Sequence, residues 1–201
     1  MIVNLSDQFN KIMEAWHAPG FALAVVRGGE VILSQGFGYR DVERNLKVTP
    51  YTRFAIGSAT KAFTTMAMAI LVDERKLDWD TPVRCYLPAF RLHDLFATDR
   101  ITPRDLVTHR SGLPRHDNLW YCSSFTRSEL VQRLQYLEPA WDLRTVYQYN
   151  NLMFMLQGVI VEKVTGLSWE ENIIERIFKP LGMSHSNLSI ESLEESDDAA
   201  F

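Results

Sequence analysis

The stretch Ile56-Gly57-Ser58-Ala59-Thr60-Lys61-Ala62-Phe63-Thr64-Thr65-Met66-Ala67-Met68-Ala69-Ile70-Leu71 decides how the rest of the chain is read. Between Pro19 and Gly57 the apolar residues favour strands. From Ser58 to Arg75 they recur at helical spacing and cover nearly the whole circumference, with Ala62, Phe63, Met66, Ala67, Ala69, Ile70 and Leu71 among them. A helix without a polar face is expected to lie buried in the middle of a domain. At its start stands Ser58-Ala59-Thr60-Lys61. Residues i and i+3 of a helix share a face, so the Lys61 amine can reach the Ser58 hydroxyl one turn earlier.

Upstream, Phe9, Ile12, Met13 and Trp16 predict a helix from Leu5 to Trp16, capped by Ser6 or Asp7 and ended by Pro19-Gly20. Phe21–Arg27 and Val31–Phe37 are β-rich runs around Gly28-Gly29, a hairpin signal. Thr52–Ile56 reads as a further extended piece. Downstream of Leu77 the pattern is helices and loops. Thr102-Pro103 opens a short helix through Val107, and Ser111-Gly112-Leu113-Pro114 breaks the chain. Thr126 and Glu129 form a capping box. Leu152–Val164 is an apolar helix stopped by Gly166, and Ser168–Ile177 is the next one. The acidic tail, Glu191–Asp198, is expected to fray. The strands are therefore front-loaded, and a lone hairpin is marginal in water. Strands that complete its sheet are expected beyond this reading, and its free edge predicts a partner segment or self-association. Two domains are expected: 1–75, an α/β part with hairpin and nucleophile helix, and 76–201, mostly helical, with its last helix and tail returning toward further strands.

The 201 residues are 46% apolar and 23% charged, which is the composition of a globular protein. Twenty-one basic against 25 acidic residues give a net charge of −4 and no basic stripe, which argues against a nucleic-acid partner. Cys85 and Cys122 have no neighbours at metal-ligand spacing and read as free structural thiols. No apolar run approaches the ~20 residues that cross a bilayer, and Met1–Asp7 leads into a polar helical pattern that does not read as a signal peptide. A cytoplasmic location is expected as written; a chain trimmed of its signal and lying outside the cytoplasm would read the same.

A serine hydroxyl is a weak nucleophile until a neighbouring base takes its proton. A lysine on an otherwise apolar helix is desolvated, which favours its neutral form and makes Lys61 a candidate base. The Ser58 amide lies among the unpaired N–H groups of a helix start, where an oxyanion is stabilised. The bland reading is a capping serine and a surface lysine. Tyr147-Gln148-Tyr149-Asn150-Asn151 precedes the apolar helix at Leu152. Tyr149 near a cationic lysine has its phenolate favoured, and an Asn amide can hold a substrate carbonyl and orient the lysine. The bland alternative is that Asn150 or Asn151 caps the helix and Tyr149 packs. Trp120, Tyr121, Phe125 and Trp141 fit either a substrate-selecting wall or core packing. A Ser-His site built from Ser111, His109 and His116 is disfavoured.

Gly57-Ser58-x-x-Lys61, the run Thr102-Pro103-Arg104-Asp105-Leu106-Val107-Thr108-His109-Arg110-Ser111-Gly112-Leu113-Pro114, and Tyr149-x-Asn151, in this order, resemble the penicillin-recognising serine hydrolases. This branch contains class C β-lactamases, D-stereospecific peptidases and esterases. The resemblance runs from Pro19-Gly20-Phe21 to Pro180-Leu181-Gly182-Met183. It implies an α+β fold of β-lactamase/transpeptidase type: a mainly antiparallel sheet with flanking helices, an all-helical insertion, and an active site in the cleft between them. By the same resemblance Ser58 is the acylated nucleophile, Lys61 and Tyr149 share the base role, Asn151 binds the substrate amide, and no metal or cofactor is required. The substrate is a small peptide, amide, ester or β-lactam.

The family's third motif, K-T-G or H-x-G on a late strand, does not follow Asn151. Lys163-Val164-Thr165-Gly166 is a helix end with the wrong spacing. That strand supplies the second oxyanion donor, so only the Ser58 amide is in this chain. Losing one such donor typically costs about 10²–10³ in rate. The expectation is the N-terminal portion of a longer protein, its remainder cleaved, unseen or on another chain. The isolated chain is then slow or inactive, and the competing reading is a catalytically silent penicillin-binding-like scaffold used for binding or assembly.

Overall fold

The computed structural model describes residues 5–200, and contacts divide the chain into two compact units. One combines the residues before Ser58 with those from Met183 onward; the other is Ser58–Gly182.

In the first unit α1 (Leu5–Trp16) precedes β1 (Gly20–Arg27) and β2 (Glu30–Asp41), which pair antiparallel from Gly20↔Gly38 to Arg27↔Glu30. Gly28 and Gly29 turn the hairpin with φ of 60° and 84°, a left-handed pair that glycine adopts without steric cost. Phe9 of α1 packs on Phe21 and Phe37 of the two strands, the latter two rings stacked at 4.9 Å. The helix thus covers one face of the sheet. A third strand, β3 (Leu46–Lys47), extends the order to β1-β2-β3. The sequence pattern had no room for so short an element.

Thr52–Ile56 is not a strand: Arg53 makes a single parallel bridge with Ala199. The reason is long-range. The Arg53 N–H donates to the Asp198 carbonyl and the Ala200 N–H donates to the Arg53 carbonyl. The Asp198 carboxylate accepts from the Thr49 and Thr52 hydroxyls at 2.5 and 2.6 Å and pairs with Arg40. The acidic tail is therefore anchored rather than frayed. Ala199 is fully buried, and α10 (Ile190–Glu194) lies in the same segment.

The second unit is helical. A 3₁₀ turn, Gly57–Ala59, leads into α2 (Thr60–Asp73). Then come α3 (Val83–Tyr86), α4 (Leu95–Arg100), α5 (Pro103–Val107), α6 (Asp117–Trp120), α7 (Arg127–Arg133), α8 (Asn151–Thr165) and α9 (Trp169–Ile173). A π-helical turn, Ile174–Phe178, prolongs α9. Thr102 and Thr126 close capping boxes with Asp105 and Glu129, and Gly166 ends α8. At the centre α8 buries Leu152, Met153, Leu156, Ile160 and Val161 against α2, α5, α7 and α9. Each such side chain contributes about 1.5–3 kcal/mol relative to exposure.

α2 departs from its expectation of burial on every side. Ala67, Met68 and Leu71 are enclosed, whereas Ala62 is exposed and Met66 is 53% exposed. The expected boundary after residue 75 and the observed one at Gly57 differ by this helix. Its enclosed face packs on α8 and α9, which draws residues 58–75 into the helical unit. No helix of the described residues is long and apolar enough to cross a membrane.

Candidate active site

Ser58, Lys61, Tyr149 and Asn151 converge within the helical unit. The start of α2 places Ser58 and Lys61 one turn apart, and the Lys61 Nζ donates to the Ser58 Oγ at 3.0 Å. The Ser58 hydroxyl also shares a hydrogen bond of 2.6 Å with the Tyr149 Oη. Ala59 holds the cap position of α2 with no side-chain bond, so the serine is not spent on capping. Lys61 also donates to the Asn151 Oδ1 at 2.7 Å and lies 4.8 Å from the Tyr149 ring centre. Ser58 is exposed; Lys61, Tyr149 and Asn151 are half-buried.

Tyr149 is brought to this point by a clamp on the segment before α8. The Ala140 N–H donates to the Gly112 carbonyl, that of Arg144 to Arg110, and that of Gln148 to His109. Gly112 has φ of 75°, and a Cβ there would stand 2.0 Å from the Trp141 carbonyl oxygen, so only glycine permits the approach. Asp105, 4% exposed, accepts from the Thr102 N–H and hydroxyl and takes both Nε and a terminal nitrogen of Arg144, at 2.8–3.0 Å. Burial would raise the Asp105 pKa; the Arg144 and Thr102 bonds outweigh it and hold the carboxyl below its ordinary value.

The two asparagines divide the roles left open by the sequence. Asn150 is fully buried and caps α8, its Oδ1 accepting from the Met153 N–H, while its Nδ2 donates to the Leu113 and Pro114 carbonyls. Asn151 is left to face Lys61. His109, at φ of 56° and 7% exposed, accepts the Asn150 N–H on Nδ1 at 3.1 Å and sets its ring 4.6 Å from that of Tyr149. Ser111 uses its Oγ on the Leu113 N–H. These loop residues thus support the tyrosine rather than form a Ser-His pair.

The electrostatics follow from these contacts. Hydrogen bonds from Lys61 and then Ser58 hold the Tyr149 phenol below its ordinary value, with the charges of Lys61 and Arg115 adding to the effect against burial. Burial, and then the Lys61 charge, lower the His109 imidazole. An arrangement of this kind can hold Tyr149 as a phenolate beside the Lys61 ammonium, ready to take the serine proton.

Sequence reasoning missed Asp117 and Arg115. The Asp117 Oδ1 accepts from the Asn151 Nδ2 and the Trp120 Nε1, both at 3.2 Å, and its Oδ2 from the Arg115 Nε at 2.7 Å. The Arg115 guanidinium lies 5.1 Å over the Tyr149 ring. No local pattern separates this pair from ordinary surface charge. Of the aromatics considered beforehand, Trp120 is half-buried, whereas Tyr121, Trp141 and Phe125 are exposed to 70%, 55% and 39%, so core packing does not explain these three. Cys85 and Cys122 are free and exposed. Among the described residues no group of three or more His, Cys, Asp or Glu side chains is placed to hold a metal ion.

The family described as Beta-lactamase matches residues 5–200, and the chain belongs to it. It is 34% identical to the unguisins hydrolase ungD' of Aspergillus campestris over 96% of this chain and 38% of that protein. Among solved structures, the octameric penicillin-binding protein homologue from Pyrococcus abyssi superposes with a TM-score of 0.84 at 32% identity, over 100% of this chain and 47% of that one. A class C beta lactamase superposes at 0.81 and 26% identity, covering 98% of this chain and 53% of the other. The fold is accordingly α+β of the β-lactamase/transpeptidase type. The chain spans about two fifths of the length of the curated relatives it matches.

Proposed function

We propose that the chain carries the nucleophile side of a serine hydrolase that works through an acyl-enzyme on peptide, amide, ester or β-lactam bonds. The observation behind this reading is the Ser58 hydroxyl held at once 2.6 Å from a phenol and 3.0 Å from an amine. Tyr149, as phenolate, takes the Ser58 proton while Oγ bonds to the substrate carbonyl carbon. The carbonyl electron pair moves onto oxygen, where the Ser58 amide donates one oxyanion bond. Collapse breaks the bond to the leaving nitrogen or oxygen, which takes the proton back from Tyr149. Water, deprotonated by the same phenolate, then attacks the acyl carbon, and collapse breaks the bond to Ser58 Oγ, which takes that proton back from Tyr149.

In this scheme Lys61 stabilises the phenolate and steadies Asn151, whose amide holds the substrate carbonyl. The outer edge of β1, unpaired among the described residues, is a place for further strands or for a second copy to add.

The test is the pH dependence of kcat/KM on an activated ester, measured on the intact protein. The rate should rise with pH as Tyr149 deprotonates, with a midpoint below the ordinary 10.0 of a phenol. Tyr149→Phe should lower the rate by about 10²–10⁴ and abolish that rise. A variant within threefold of wild type with the rise intact would overturn the assignment of Tyr149 as the base.

A further inference from the structure

An asparagine amide is nearly symmetric in shape, so its working orientation is set by what stands on either side. For Asn151 these are opposite charges. Lys61 donates to Oδ1 at 2.7 Å, and the Asp117 carboxylate receives Nδ2 at 3.2 Å. Turning the amide over would set its NH₂ against the ammonium and its oxygen against the carboxylate, which loses both bonds and creates two repulsions.

Asp117 is in turn held by two donors. The Arg115 Nε meets Oδ2 at 2.7 Å, and the Trp120 Nε1 meets Oδ1 at 3.2 Å. Burial would raise its pKa, but the bonds from Asn151 and Arg115, with the Arg115 charge and Trp120, hold it low, so it stays ionised at neutral pH. The carboxylate is 34% exposed on the side-chain scale, enough shielding for the geometry to be kept.

We infer that Asp117 is a positioning residue, which locks the Asn151 amide with its oxygen on Lys61 and leaves the second Nδ2 hydrogen free for a substrate carbonyl. This rests on the acyl-enzyme reading above. Asp117 touches none of the reacting atoms; its effect passes through Asn151. The chain Arg115–Asp117–Asn151–Lys61–Ser58 thereby ties α6 to the nucleophile through side chains alone.

The experiment is a double-mutant cycle on the intact protein, read as kcat/KM on an amide substrate, with labelling of Ser58 by a serine-acylating fluorophosphonate followed by peptide mapping. Asp117→Asn keeps the shape but removes the charge that forbids the flip, and should lower kcat/KM about ten- to hundredfold. In an Asn151→Ala background the same change should cost less than twofold, because no amide remains to orient. Melting temperatures of all four proteins exclude unfolding as the cause. If Ser58 labels but Asp117→Asn is within twofold of wild type, or costs the same in both backgrounds, the positioning role is overturned and the hydrolase reading stands. If wild-type Ser58 does not label, the hydrolase reading falls and takes this inference with it.

Discussion

Replacing Arg144 with alanine should destabilise the protein more than replacing its partner Asp105, although one ion pair is lost in each case. The two ends of the bridge differ in burial: the Asp105 side chain is 6% exposed, that of Arg144 46%. Asp105→Ala leaves a guanidinium that can turn into water, so its cost falls below the full penalty for breaking a buried pair, at about 2–3 kcal/mol. Arg144→Ala leaves a carboxylate enclosed with only the Thr102 N–H and hydroxyl to solvate it, and should cost about 3–4 kcal/mol. Both weaken the clamp on the segment that carries Tyr149, so activity should fall as well. Asp105 also carries a pH signature. Its native pKa lies below its ordinary 3.8, so its contribution is complete above that value and is lost as pH falls through the native pKa. Urea unfolding followed by the fluorescence of the five tryptophans measures all of this. Costs below 1 kcal/mol for both variants, or a larger cost for Asp105→Ala, would refute the reasoning from burial.

His109 should make stability pH-dependent in the same sense but in a higher pH range. Its native pKa is depressed from the ordinary 6.5, so the unfolded chain binds the proton first, and stability should fall as pH drops from about 6.5 toward the native value. His109→Gln should flatten that slope in unfolding experiments at pH 5 to 8; an unchanged slope would contradict it. Gln157 is fully buried on α8 and neither amide atom has a protein partner among the described residues, so Gln157→Met should raise stability by about 1 kcal/mol. A loss of stability by thermal melting would count against that reading.

Much of the fold was legible because its signals are local. The Gly28-Gly29 hairpin, the Thr102/Asp105 and Thr126/Glu129 capping boxes and the stop at Gly166 each depend on residues within four positions of one another. What escaped depends on distant partners. β3 exists through pairing of Leu46–Lys47 with Tyr39 and Asp41 of β2, and the tail is ordered because Asp198 meets Thr49, Thr52 and Arg40. Ser58 and Lys61 could be paired from helical spacing alone. The spacing of Tyr149 and Asn151 said nothing of where they would lie. Their candidacy, and the choice of Asn151 over Asn150, came from the order of motifs in the resemblance. What the sequence left open was which asparagine caps α8, and the contacts of Asn150 with Leu113, Pro114 and Met153 answer that. Asp117 had no signal, since one carboxylate in a polar loop looks like any other.

The most direct measurement is the intact mass of the protein after incubation with a serine-acylating β-lactam or fluorophosphonate, followed by mapping of the modified peptide. The Ser58–Tyr149–Lys61 geometry predicts one adduct, on the peptide containing Ser58, and none in Ser58→Ala. An unmodified wild-type protein, or an adduct that persists in Ser58→Ala, would contradict the acyl-enzyme assignment.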